Sequence, residues 1–227
     1  MPIVAAYALS PERKTAPVLG AFQARYGLPR WKPRDPMEVL VRGVLSQNTS
    51  DSNSAQAYER LMDRFGSWAA VAAAQERQIR EAIRVGGLAA QKAGTIRRIL
   101  AQYGGGAGRS LEHLKGLPAR DAERELTSIK GVGTKTARLV LLFAFGTPVF
   151  VVDTHVLRVA HRVGLIPPNC TREKAHVLLD ALIPDGRKYS AHMNMIRHGR
   201  ETCHPRAPSC SGCPVRKWCL AFQAGSL

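Results

Sequence analysis

An all-α fold follows from three features of this 227-residue chain. Apolar residues recur at helical spacing along most of its length. Clusters of Gly, Pro, Asn and Ser punctuate them at short intervals. The only β-like run, Val149 to Val152, is too short to build a sheet. Hydrophobic residues make up 45% of the chain, the proportion of a folding globular protein rather than a disordered one. No fixed repeat and no low-complexity segment competes with this reading.

In chain order, Ser10 to Gly27 places Val18, Leu19 and Phe22 on one helical face and ends at Gly27 and Pro29. After a linker, Pro29 to Arg34, Asp35 reads as an N-cap with Pro36 at the first helical position, opening a helix through Met37, Leu40, Val44 and Leu45. That helix runs out in Ser46-Gln47-Asn48-Thr49-Ser50-Asp51, a polar segment rich in turn formers. A helix from Ser52 carries Ala55, Tyr58, Leu61 and Met62 and stops at Gly66. Shorter helical pieces cover Trp68 to Ala74 and Glu76 to Val85. Gly86-Gly87 interrupts, and Leu88 to Tyr103 resumes with Ile96, Ile99 and Leu100 on one face. Gly104-Gly105-Gly106 is a further break, too short for a domain linker. Leu111 to Leu117 and Ala119 to Ile129 read as short helices, the second leading into Gly131-Val132-Gly133. The helix after it, Thr134 to Phe145, is apolar on nearly every side and is therefore buried.

Charge narrows the function classes. Thirty-three Lys and Arg oppose 17 Asp and Glu, a formal +16, and the basic residues run from Arg13 to Lys217 instead of forming a tail. Such a field attracts polyanions, nucleic acid first among them, with an anionic membrane surface as the other candidate. No apolar run approaches the ~18 residues of a membrane span, and no secretory signal precedes the first helix, so a cytoplasmic protein is expected.

The stretch from Leu126 to His155 carries the chemistry. Glycines let the backbone turn sharply and approach a ligand, and a helix N-terminus with free N–H groups attracts anions, so Gly131-Val132-Gly133 before a buried helix suits a phosphate. By itself the pattern is better explained as an ordinary helix-turn-helix connection. Lys135 lies in the first turn of that helix, where the dipole and burial both disfavour a protonated amine and favour nucleophilic use. Asp153, 18 residues further on, is explained by N-capping the helix of Val156, Val159, Ala160 and Val163, and such a cap can still present one oxygen elsewhere.

Four of five cysteines fall between Cys203 and Cys219, as Cys203, Cys210, Cys213 and Cys219 in the pattern C-x6-C-x2-C-x5-C. In a reducing compartment such clustering points to a metal centre, and spacing alone admits either zinc or an iron-sulfur cluster. Pro205, Pro208 and Pro214 suit a loop wrapped around it, and Arg200, Arg206, Arg216 and Lys217 make the surroundings basic. Cys170 stands apart as a small apolar residue.

Taken together, Leu126 to Ala137, Val152-Asp153-Thr154-His155, His198-Gly199-Arg200 and the cysteine spacing resemble the endonuclease III family of helix-hairpin-helix DNA glycosylases. The resemblance implies two helical domains, a six-helix domain at 30–146 containing the hairpin and a discontinuous iron-sulfur cluster domain at 1–29 plus 147–227, with a DNA cleft between them. It implies a 4Fe-4S cluster on the four cysteines. It also implies a monomer acting on double-stranded DNA that contains damaged bases or abasic sites. The activity implied is a bifunctional glycosylase and AP lyase that excises oxidised pyrimidines and nicks the strand by β-elimination, with Lys135 as nucleophile and Asp153 assisting. Gly131, Gly133 and His155 would contact DNA, Leu88 would be an apolar wedge, and Asn48 or its neighbour Gln47 would fill the gap left by the flipped base. Ala89 and Asn48 depart from the residues many relatives carry there. Two other readings remain at this stage: an adenine-mismatch glycosylase, whose glutamate would fall where this chain has Arg42-Gly43-Val44, and a metal-stapled DNA-binding module without catalysis.

Overall fold

The computed structural model describes residues 9–104 and 110–226. Among these residues every regular element is helical. The breaks expected at Gly105 and Gly106 lie outside the described residues, while Gly104 closes a helix by donating its N–H to Leu100 O. The chain divides into a continuous unit, Lys32–Thr147, and a discontinuous one formed by Met1–Trp31 and Pro148–Leu227.

Helix α1, Pro11–Tyr26, belongs to the discontinuous unit. The continuous unit opens with α2, Pro36–Leu45, whose N-cap Asp35 accepts from the Glu38 N–H at 2.6 Å. Leu40, Val41, Val44 and Leu45 of α2 are fully buried. Helix α3, Asp51–Phe65, is capped by Ser50 and ended by Gly66 in the left-handed conformation. The short helices α4, Trp68–Ala73, and α5, Glu76–Ala82, lead to a 3-10 turn, Arg84–Gly86. Helix α6, Ala89–Tyr103, starts one residue later than the apolar pattern suggests, because Leu88 is not helical but stands at φ 47° as the N-cap. Leu111–Gly116 forms a 3-10 turn instead of an α-helix: Leu117 precedes Pro118 and is extended, which cuts the segment before a full α-helical ladder can form. Helices α7, Ala119–Thr127, and α8, Thr134–Ala144, complete this unit, with α8 packed on α2 and α7. As its composition predicts, α8 is buried along most of its circumference, through Thr136, Ala137 and Val140 to Ala144.

In the discontinuous unit α1 packs on α11, Lys188–Glu201, which in turn packs on α9, Thr154–Val163; α10, Arg172–Leu182, and the short α12, Leu220–Gln223, complete it. Val18, Leu19 and Phe22 join Val152, Val156, Val159, Ala160, Val163 and Met195 in one core. Val149 to Val152 is extended and buried but pairs with no strand. Its backbone groups are satisfied by side chains instead, as buried main-chain polar groups require. The Phe150 N–H donates to Asp180 Oδ1 at 2.5 Å, His176 Nδ1 meets Phe150 O at 3.2 Å, His192 Nδ1 meets Val151 O at 3.0 Å, and Lys188 Nζ donates to Pro148 O at 2.8 Å. Lys188 is itself paired with Asp180 and Asp185. Two helices thus hold this segment straight up to Asp153. No helix among the described residues is long and apolar enough to cross a membrane.

Candidate active site and metal centre

In the continuous unit, α7, the turn Ser128–Gly133 and α8 form a helix-hairpin-helix. The turn is braced from two sides through its carbonyl groups. Arg98 Nε on α6 donates to Lys130 O at 3.0 Å, and Gln47 Nε2 donates to Gly131 O at 3.0 Å. Gly131 has φ 101°, and a Cβ there would overlap the Thr95 side chain, so conformation and space both require glycine. Gly133 is exposed and serves as the N-cap of α8 without a side-chain cap bond, and the first turn of α8 has no acidic residue. The positive end of the helix dipole is therefore not neutralised from within the helix, which suits an anion. Gly131→Ala, combining a disallowed φ with overpacking against Thr95, is expected to cost about 2–4 kcal/mol, read as a lowered urea midpoint with an unchanged slope.

Lys135 lies in that first turn and is half-buried. Next to it, Thr136 is 2% exposed and packs on Gly43 of α2, where a Cβ would come within 2.8 Å of Thr136 Cγ2. α2 approaches α8 this closely only because residue 43 has no side chain.

Among the described residues of the same unit, two carry positive φ without being glycine and face solvent: Asn48 at φ 49° and Leu88 at φ 47°, the latter 50% exposed. An exposed leucine in the left-handed region neither gains burial nor relaxes its backbone. Such strain, of order 1–3 kcal/mol per residue, collects at ligand-contacting positions. Gln47 behaves differently, since it is partly buried and committed to the hairpin carbonyl.

In the discontinuous unit Asp153 is the N-cap of α9, its Oδ1 accepting from the Val156 N–H at 2.7 Å. One turn on, Arg158 donates Nη2 to Gly199 O at 2.8 Å and to His155 Nδ1 at 3.1 Å, and Nε to Cys203 O at 2.9 Å. Because arginine only donates, Nδ1 of His155 accepts, and the proton of the neutral ring sits on Nε2. Gly199 admits this arrangement: a Cβ there would stand 2.8 Å from the His155 Cβ.

Cys203, Cys210, Cys213 and Cys219 line one cavity together with Arg162, Val163, His198, Thr202 and Val215. Burial pushes the Cys213 and Cys219 thiols up, and the charges of the neighbouring cysteines push them the same way, so ionising all four requires a compensating cation. Arg162 supplies part of that charge. Its Nη1 donates to Cys203 Sγ at 3.3 Å and to His204 O at 2.6 Å, and its own carbonyl accepts from Cys219 Sγ at 3.2 Å. His198 Nε2 stands 3.8 Å from Cys213 Sγ while Tyr26 Oη bonds its Nδ1 at 2.9 Å. Burial, aided by the Arg158 charge, pushes this imidazole down to about 4, so it is neutral at neutral pH. Among the described residues no three His, Cys, Asp or Glu side chains are grouped as ligands of a single ion. A four-thiol donor set around one cavity suits a metal centre, and zinc and an iron-sulfur cluster both take such ligands. Cys170, buried elsewhere, takes no part.

Sequence reasoning missed Lys92, Arg158, Arg162, His176 and His192, all of which hold backbone carbonyls near these elements. Lys92 and His192 are 1% exposed and His176 is 2%, and the signal that could have found them is a polar residue inside an otherwise apolar helical face.

A glycine hairpin before a buried helix, and four cysteines around one cavity, define a helix-hairpin-helix protein with a candidate metal centre. The family model for the HhH-GPD superfamily of base excision DNA repair proteins matches residues 41–185. Endonuclease III of Thermotoga maritima is 33% identical over 196 residues, covering 85% of this chain and 86% of its own length. A provisionally named DNA glycosylase of Arabidopsis thaliana is 40% identical over 165 residues, 72% of this chain, which spans only 56% of that protein. The solved structure of a non-covalent endonuclease III–DNA complex superposes with a TM-score of 0.79 at 26% identity, covering 94% of this chain and 97% of the other. The chain belongs to the endonuclease III family of helix-hairpin-helix DNA glycosylases.

Proposed function

We propose that this protein is a bifunctional DNA glycosylase and AP lyase of base excision repair. It acts as a monomer on double-stranded DNA carrying oxidised pyrimidines or abasic sites. The observation that carries the reading is Lys135, the amine in the first turn of an uncapped helix behind a glycine turn whose carbonyl groups are tied back. The hairpin N–H groups, those of Gly131 and Gly133 included, hold a DNA phosphate. The target nucleotide leaves the stack, since its C1′ is out of reach inside a duplex. Lys135 Nζ then bonds to C1′, the C1′–N bond breaks, and the base departs with a proton. The C1′–O4′ bond then opens, its oxygen taking up a proton, and the resulting Schiff base acidifies the C2′ proton, whose removal expels the 3′ phosphate and nicks the strand. Asp153 takes up the lysine proton and offsets positive charge developing on the sugar.

Of the two candidates for the gap, Asn48 is the better placed, being exposed and strained where Gln47 braces the hairpin. Leu88 is the apolar wedge, and His155, oriented by Arg158, contacts the backbone. Cys203, Cys210, Cys213 and Cys219 would hold a 4Fe-4S cluster, which when bound contributes folding energy to the discontinuous unit. A mismatch glycosylase that places a glutamate in the 42–44 segment is disfavoured at residue 43 by the packing of Gly43 on Thr136.

Borohydride reduction in the presence of duplex DNA with an abasic site tests the reading. A covalent protein–DNA adduct is expected. Binding without an adduct would leave a non-catalytic DNA-binding module, and a panel of oxidised pyrimidines, uracil and mismatches then ranks the lesions.

A further inference from the structure

Lys92, in the first turns of α6, is 1% exposed, and its ammonium is held by carbonyl oxygens rather than by a carboxylate. Nζ donates to Leu45 O at 2.8 Å and to Gly86 O at 2.7 Å. Leu45 is the last residue of α2, and Gly86 the last of the 3-10 turn Arg84–Gly86. Both oxygens sit at helix C-termini, where intrahelical partners run out and the local charge is negative. One buried amine closes both ends. Its backbone joins in, because the Lys92 N–H donates to Leu88 O at 3.0 Å.

The two anchored carbonyls lie shortly before the two strained, exposed non-glycine residues among the described residues of this unit. Asn48 comes three residues after Leu45, and Leu88 two residues after Gly86. Gly86 is also fixed from behind, since a Cβ there would stand 3.1 Å from Ala57 Cβ of α3. A methionine would fill the Lys92 volume without desolvating a charge, so packing alone does not call for lysine here. Burial lowers the amine's pKa, which shows what desolvation its position exacts.

We propose that Lys92 is a positioning residue that locks the Asn48 and Leu88 tips at one fixed spacing, so that both enter the base stack as a single wedge. The inference rests on the glycosylase reading above, which makes those tips the DNA-penetrating groups. It adds a residue that never touches DNA yet controls nucleotide flipping.

The test uses the whole protein and a duplex with 2-aminopurine beside a tetrahydrofuran abasic analogue, which reports unstacking without needing any chemistry. Wild type should raise the fluorescence on saturation. Lys92→Met should bind nearly as tightly, because the buried side chain reaches no phosphate, yet lose most of that rise. Its single-turnover Schiff-base trapping on a natural abasic duplex should fall by about 10- to 100-fold, the usual cost of a misplacement near 1 Å. Lys92→Gln, which retains donors, should recover part of both signals. Lys14→Met is the matched control: Lys14 is also 1% exposed and donates to Val163 O at 2.9 Å in the other unit, and its loss should leave the fluorescence rise unchanged. A folded Lys92→Met protein with wild-type unstacking and trapping overturns the proposal. So does failure of both Lys92 variants to fold cooperatively, which would make the lysine a general core element. If wild type forms no adduct, the enzymatic reading fails by itself, while the fluorescence arm still decides the role of Lys92.

Discussion

Lys135→Gln abolishes the borohydride adduct and lowers single-turnover cleavage of an abasic duplex by roughly 10^4-fold or more, the scale on which removing a covalent nucleophile acts. Duplex affinity stays nearly intact, because 32 of the 33 Lys and Arg residues remain to neutralise phosphates. Glutamine matches lysine closely in length and helix propensity, so the first turn of α8 and the packing of Thr136 on Gly43 persist, and stability changes by no more than about 0.5 kcal/mol. The salt dependence separates the two roles open to this lysine. A residue that only holds a phosphate would, when replaced, flatten the slope of log K against log salt by about one and spare the adduct. A nucleophile does the reverse. Adduct formation by Lys135→Gln would move the chemistry to another amine.

The helices were readable wherever apolar periodicity and a cap coincided: Asp35-Pro36 before α2, Gly66 after α3, and the all-round apolar character of α8. The hairpin and the cysteine spacing were legible because their chemistry needs particular residues at particular intervals. What the sequence concealed was support from a distance. Gln47 and Asn48 are adjacent and similar, yet one turns inward to Gly131 O and the other outward, a choice made by a contact across 84 positions. Leu88 read as the first residue of a helix, because nothing local announces a leucine at positive φ; that conformation is imposed by what anchors Gly86 and α6. Val149 to Val152 looked like a fragment of strand. It is an extended segment whose partners are His176, Asp180, Lys188 and His192, side chains that no periodicity would assign to it. Local rules specify elements, and long-range hydrogen bonds specify which exposed residue becomes a tool.

With the proposed 4Fe-4S cluster on the four cysteines, Cys213→Ala is expected to remove its broad visible absorption and its iron, and to destabilise the discontinuous unit by several kcal/mol in urea. The reason lies in how little else organises that region. Between Cys203 and Cys219 the only regular elements are two three-residue 3-10 turns, Cys210–Gly212 and Arg216–Trp218, so few backbone bonds hold the loop against its chain entropy. In the proposed cluster, metal–thiolate bonds would supply what helices supply elsewhere. The same loop anchors α9, because Arg158 and Arg162 donate to the carbonyls of Cys203, His204 and Pro205. Loss of the centre therefore loosens the helix that Asp153 caps, and trapping efficiency falls with it even though Lys135 is untouched. Cys170→Ala is the control: buried but outside the cavity, it should keep iron and colour and cost no more than about 1–2 kcal/mol. Acid should mimic the cysteine substitution. Burial and the neighbouring cysteines raise the Cys213 and Cys219 thiols, so protons compete strongly for these ligands, and metal retention is lost as pH falls. A Cys213→Ala protein that keeps its iron and its urea midpoint would show that the centre is held by other residues.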